Sequence, residues 1–184
     1  MGAFGGKVLA RREADELCFL VVGKVTSHHS PAMRQYAEEG LSRGATKIQV
    51  NLCECTYCDS TFLGTLLHLK RRFDPHGPEA FRFVCPSAPF RQMLAQIGAE
   101  RLFCIVEQAT TTEMETTWQQ LEDNVDRVGA RRFKQNVVEA HQELANAGGS
   151  LGERFGPLAE AVTRELDDEQ RQHTERKPSL HEDK

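Results

Sequence analysis

The sequence has no apolar run near the ~20 residues needed to span a bilayer. It also has no surplus of positive charge. Its 23 Lys and Arg stand against 27 Asp and Glu, a net charge of -4. That balance argues against a general nucleic-acid binder, which carries a basic patch. The first residues, MGAFGGKVLARREADE, lack a positive region followed by a long apolar one, so no secretory signal is expected. Position 6 is glycine, where a myristoylation motif has Ser or Thr. No phosphate-binding glycine loop and no nucleophile–base pair is evident, so an enzyme is the least expected class. The expectation is a cytoplasmic protein with no nucleic acid, no membrane insertion and no cofactor.

The six cysteines are Cys18, Cys53, Cys55, Cys58, Cys85 and Cys104. Without an export signal the compartment is expected to be reducing and the thiols free. Cys53-x-Cys55-x-x-Cys58 tempts a metal reading, but a zinc site needs a second ligand pair and none is obvious. Small buried hydrophobes are the expected role, and no metal. Cys55 shares a strand face with Val50 and Leu52 only if the strand is irregular near its end.

At 184 residues the chain is long enough for one sizeable core with length left over. Leu17–Val25 is nearly all apolar and reads as a buried strand. Lys7–Ala10 precedes it as a short strand, with Arg11–Glu16 as the turn. Ser30 and Pro31 open a helix as cap and first position, and Gly44 stops it. Lys47–Cys55 alternates as a second major strand. Ser60–Phe73 is a well-buried helix whose basic end, Lys70, Arg71 and Arg72, suits its negative terminus. Phe81–Cys85 is a strand, Pro86–Ile97 a helix ended by Gly98, and Arg101–Val106 a strand. Helices between strands imply parallel pairings with right-handed crossovers.

After Gln108 the composition turns polar. Thr112 and Glu115 fit a capping box, and Met114, Trp118, Leu121, Val125 and Val128 form a narrow helical stripe. Phe133, Val137, Val138, His141 and Leu144 continue it out of phase after Gly129. Packing on the core, a helical hairpin or a homodimer seam are all open. A last helix is expected over Pro157–Gln172, after a hinge at Gly148-Gly149-Ser150. The charged end beyond His173 is expected to be disordered.

The stretch KIQVNLCECTYCDSTFLGTLLHLK, Lys47 to Lys70, passes from strand to helix through Asp59-Ser60-Thr61. It resembles the signature of the STAS domain, and most closely that of anti-sigma factor antagonists: an apolar strand V-x-L-N-L, then D-S-[ST]-G-L-G at a helix start. Here these are Val50-Asn51-Leu52 and Asp59-Ser60-Thr61-Phe62-Leu63-Gly64. Gly23-Lys24-Val25-Thr26 resembles the family's G-E-L-D turn. The resemblance covers roughly residues 7–110. It implies a STAS-like α/β fold with a four- to five-stranded, mostly parallel or mixed sheet and helices mainly on one face. Residues 1–110 would be that domain, 111–173 a helical extension and 174–184 a tail.

The resemblance further implies a non-catalytic signalling protein that binds a serine kinase doubling as an anti-sigma factor. Ser60 would be phosphorylated, Thr61 less readily, and a phosphatase would reset the switch. Thr26, Asp59, Ser60, Thr61 and Phe62 would form the partner surface. Two positions depart from the pattern. Phe62 replaces a glycine, so its ring either faces the partner or fills the core. Thr26 replaces an aspartate. Both, with the C-terminal extension, favour an alternative, a STAS scaffold or assembly subunit without the switch; an accessory subunit of a transport system is a further alternative, since STAS domains also occur there.

From the residues alone, Ser60 reads first as an N-cap, a role compatible with phosphorylation, and Asp59 as a turn-former. His28 and His29 read as a solvated loop, and Trp118 as packing.

Overall fold

The computed structural model describes residues 5–107, 117–122 and 129–175. The chain opens with a hairpin of β1 (Lys7–Glu13) and β2 (Glu16–Val25). Its turn is only Ala14-Asp15, with Ala14 at φ +51°. The expected turn over Arg11–Glu16 is therefore too long. Arg11, Arg12 and Glu13 pair with Cys18, Leu17 and Glu16. Arg12 Nε closes the turn by donating to the Ala14 carbonyl at 2.9 Å.

Helix α1 (Ser30–Ser42) has Pro31 in its first turn, as expected, but Ser30 is not its cap. His29 holds that position without a side-chain cap bond, and the buried Ser30 hydroxyl finds no partner among the described residues. Strand β3 (Lys47–Cys58) runs three residues beyond the expected end, and α2 (Ser60–Phe73) follows at once. After β4 (Phe81–Val84) comes α3 (Ala88–Ile97), capped by Ser87 and ended by Gly98 in the left-handed conformation. β5 (Cys104–Val106) completes the expected order.

The segment beyond holds a correction. Trp118 and Leu121 do not lie on a helix: Gln119–Leu121 is a strand, β6, antiparallel to Val8–Ala10 of β1. Edge pairing and burial of Leu121 outweigh the weak helical spacing. Trp118 lies under the Arg11 guanidinium, 4.5 Å from ring centroid to Cζ. The expected capping box at Thr112 and Glu115, Met114, Val125, Val128 and the tail beyond 175 lie outside the described residues.

The sheet has six strands in the order β5-β4-β3-β2-β1-β6. β2, β3, β4 and β5 are mutually parallel, and β1 is antiparallel to both of its neighbours. This is the expected mixed α/β architecture, with one strand more than expected. The register aligns Phe19, Val50 and Phe83 on one face. Tyr36 of α1 meets Phe19 edge-on at 5.7 Å, and Phe90 of α3 meets Phe83 at 5.7 Å. Phe62, Leu66 and Leu69 of α2 are fully buried in the same core. Burying each such side chain is worth about 1.5–3 kcal/mol.

The β2–β3 register slips between Leu20 and Val22 and again between Gly23 and Lys24. This is the irregularity Cys55 required, and Cys55 is fully buried.

Two helices complete the described chain. α4 (Ala130–Asn146) starts after Gly129 at φ +77°, and α5 (Gly149–Glu175) turns back against it. α5 begins well before the expected Pro157, which lies inside it. The expected hinge is only a tight turn at Gly148. Of the open arrangements for this region, the structure has a hairpin packed on the core. Leu144, Leu151 and Phe155 join the main apolar cluster, and α4 rests on α2.

Candidate functional site

The site is the junction between β3 and α2. Its central group is the Asp59 carboxylate. Asp59 leaves the strand in an extended conformation, and its Oδ1 accepts from the Phe62 N–H at 2.8 Å. That bond satisfies one of the orphan donors at a helix start. Oδ2 accepts from the Ser27 N–H at 2.7 Å. One carboxylate thus caps α2 and fastens the β2–α1 loop to it. The cap expected of Ser60 belongs to Asp59. The side chain one residue earlier reaches the free N–H, and Ser60 already lies in the first turn.

Freed from capping, the partly buried Ser60 hydroxyl lies 3.0 Å from His141 Nε2 of α4. His141 Nδ1 lies 2.8 Å from the Val137 carbonyl. A carbonyl only accepts, so Nδ1 carries a proton and donates. In the neutral ring Nε2 is then the acceptor, and the Ser60 O–H donates to it. A nucleophile–base type of pairing, not evident in the sequence, is therefore present in space. Two grooves beside α4 are lined by other residues: one by Pro31, Arg34 and Arg132 among others, one by Lys134, Val138 and Leu166 among others. His141 is 5 % exposed, and the pair is a packed contact between helices.

The other expected contact residues divide. Thr61 is 5 % exposed and Phe62 0 %. The Phe62 ring fills the core, which corrects its assignment to a partner surface. Thr26 is half-buried, and its N–H donates to His29 Nδ1 at 3.1 Å. His29 Nε2 donates to the Gly6 carbonyl at 3.0 Å. His29 is therefore a buried brace of the loop, contrary to the solvated role expected of it. His28 is exposed, with its ring 5.6 Å from Phe133 of α4.

Gly64, the last residue of the D-S-T-F-L-G run, explains how α4 comes so close. A Cβ on Gly64 would stand 2.1 Å from the Ala140 carbonyl oxygen. Only a residue without a side chain allows the two backbones to meet there.

Charges border this contact. Arg34 of α1 binds Glu38 at 2.8 Å and also pairs with Glu139 of α4. Burial works against the Arg34 charge, but its bonds to Glu38 and Glu139 outweigh this and raise its pKa. Burial likewise opposes the Glu38 charge, and Arg34 and His68 outweigh it, so its pKa is lowered. On α2, His68 lies 3.3 Å from Glu143 and Arg71 2.7 Å from the same carboxylate.

The cysteines of β3 have separate surroundings. Burial pushes the Cys55 thiol up to about 11 and the Cys58 thiol well above its usual value. Cys58 faces Met93 at 3.6 Å. Cys53 is exposed, contrary to the buried role expected of it, and a hydrogen bond with Cys85 raises its pKa. No group of three or more His, Cys, Asp or Glu suited to a metal is brought together among the described residues.

Two residues of this region escaped the sequence reading. His141 was visible only as one member of an apolar stripe. Tyr57, two residues before Asp59, is 50 % exposed, and its place on an irregular strand end hid its outward direction. Among the described residues no helix is long and apolar enough to cross a membrane.

The family model described as "Mlab, STAS domain" matches residues 9–107. No curated protein matches the chain. Among solved structures, the anti-sigma factor antagonist SpoIIAA in its unphosphorylated form aligns at 16 % identity and a TM-score of 0.48. The alignment covers 55 % of this chain and 89 % of that one. An anti-sigma factor antagonist from Mycobacterium paratuberculosis aligns at 16 % identity and a TM-score of 0.48, covering 58 % and 90 %. The phosphorylated form of SpoIIAA, the Bacillus cell fate determinant, aligns at 19 % and 0.45, covering 67 % and 99 %. The family match spans more than half of the chain, so the chain belongs to the STAS domain family.

Proposed function

We propose that this chain is a non-catalytic, cytoplasmic signalling protein of the anti-sigma factor antagonist kind. Its β3–α2 junction binds a serine kinase that is also an anti-sigma factor. Phosphorylation of Ser60 blocks that binding, and a phosphatase restores it. The observation that carries this reading is the division of labour at the junction. Asp59 takes the cap, which leaves the Ser60 hydroxyl on the first turn of α2 to a side chain from outside the family domain.

The chemistry supports a switch. A phosphate adds about -1.5 to -2 charges. Beside Asp59 it would repel an acidic partner, while the free N–H groups of the first turn would tolerate it. The test is mass spectrometry of the full chain after incubation with ATP and an anti-sigma factor serine kinase of the same organism. The expected result is one phosphate on Ser60, with constitutive kinase binding by Ser60→Ala. No phosphate on Ser60 and no binding by Ser60→Ala would overturn it.

A second reading is an assembly scaffold or transport accessory that has kept the fold without the switch. The His141 contact favours it, because α4 covers the hydroxyl a kinase would need. It predicts a stable oligomer or a constitutive complex. A monomer by light scattering at all concentrations, with reversible phosphorylation of Ser60, would count against it.

A further inference from the structure

The α2 side of the contact is a helical ridge. Ser60, Gly64, His68 and Arg71 follow one another at spacings of four, four and three, the spacing of one helix face. Arg34 of α1 stands beside it. Each member meets a complementary group on α4: Ser60 an acceptor nitrogen, Gly64 a backbone carbonyl, His68 and Arg71 the Glu143 carboxylate, Arg34 the Glu139 carboxylate. The fully buried Phe62, Leu66, Leu69 and Phe73 of α2 belong to a core it shares with the sheet. The ridge is thus a receptor surface, bordered by Arg34 and Arg71, with the Glu38 carboxylate between Arg34 and His68, and cut away at its centre by a glycine.

We infer that this α1–α2 face is a docking site for an amphipathic helix that turns carboxylates toward it, that α4 is its tethered occupant through Glu139 and Glu143, and that an external partner binds by presenting a helix with the same contact face in its place. The partner helix carries a small residue to meet Gly64 and carboxylates to meet Arg34, His68 and Arg71. An acceptor one residue from the small one meets Ser60. Exchange of the occupant is favoured over its simple release. Leu144, Leu151 and Phe155 of the hairpin are anchored in the main core, and their departure would expose apolar surface that only another apolar face covers. The inference refines the proposed role of the Ser60 junction as a recognition surface, and it does not depend on any kinase.

Two measurements on the full chain test it. Native-state hydrogen exchange should show the α4 amides opening at least tenfold more often than those of β2 and β3. The second uses Ala140→Glu, which buries a charge against α2 and should eject α4 while the β2 and β3 amides stay protected. A fluorescein-labelled peptide of residues 129–147 should then bind Ala140→Glu saturably. It should bind the wild-type chain at least tenfold more weakly, because the face is occupied. Adding Gly64→Ala to the variant should abolish binding, because the new Cβ meets the peptide backbone. Loss of β2–β3 protection together with α4, in either protein, would make α4 an integral part of the fold and overturn the inference. So would equal peptide binding by wild type and variant, or none by the variant. A failure of Ser60 phosphorylation would leave these outcomes unchanged.

Discussion

The Ser60 hydroxyl donates to His141 Nε2 across 81 positions of sequence, joining the first turn of a family helix to a helix the family model does not cover. Each partner is the other's replacement for water. Ser60→Ala leaves the 5 % exposed His141 ring with an unmet acceptor, at a cost of about 1–3 kcal/mol. Urea unfolding of Ser60→Ala, His141→Phe and the double variant measures the coupling. A non-additive term of at least ~0.5 kcal/mol is expected for residues in contact, and strict additivity would remove the bond from the account.

Asp59 has two tasks that a single substitution separates. Asp59→Ala loses both the cap to Phe62 and the tie to Ser27, and a lost cap alone costs about 0.5–2 kcal/mol. Asp59→Asn keeps one acceptor oxygen and so keeps the cap, while its amide nitrogen cannot accept from Ser27. Thermal unfolding should rank wild type above Asn and Asn above Ala. An Asn variant as unstable as Ala would mean that the loop tie carries the effect.

These two residues also mark how far the sequence could be read. The Asp59-Ser60-Thr61 run located the junction, because a carboxylate and hydroxyls between an alternating strand and a leucine-rich helix have few other uses. It could not say which side chain caps, since Asp and Ser are near-equal caps and the choice turns on a one-residue helix boundary. The strands and first three helices were legible because their apolar periods are strong. Gln119–Leu121 was not, because a three-residue strand has no period and its neighbour in space, Val8–Ala10, is more than 100 positions away. His29 was misjudged for a similar reason: its carbonyl partner, Gly6, is 23 positions back.

Stability should fall in alkaline solution. The Cys55 thiol is raised from 9.0 to about 11 by burial, and Cys18 and Cys58 are raised by the same cause. The folded state therefore holds protons that the unfolded state releases first. The Cys55 contribution is fully present below pH 9 and is lost as pH rises through about 11. Urea midpoints between pH 8 and 11 should decline over that window, and Cys55→Ala should decline less steeply. Equal slopes for the two proteins would exclude Cys55 as a source.

Thiol reactivity should follow exposure. Cys53 is the exposed cysteine, while Cys18, Cys55 and Cys58 are buried. With iodoacetamide at pH 8 the native chain should be labelled first at Cys53, and the three buried thiols should react only after denaturation. Early labelling of Cys55 or Cys58 would show that the end of β3 opens readily.

The sheet order has a bearing on how copies of this protein meet. Both outermost strands, β5 and β6, are three residues long. β6 pairs with Val8 to Ala10 of β1, and beyond it, among the described residues, the rim of β1 continues as the charged run Arg11-Arg12-Glu13. Short rims and clustered charge are what discourage one sheet from extending into the next. Among the described residues, lateral strand-to-strand growth is thereby disfavoured at both ends of the sheet.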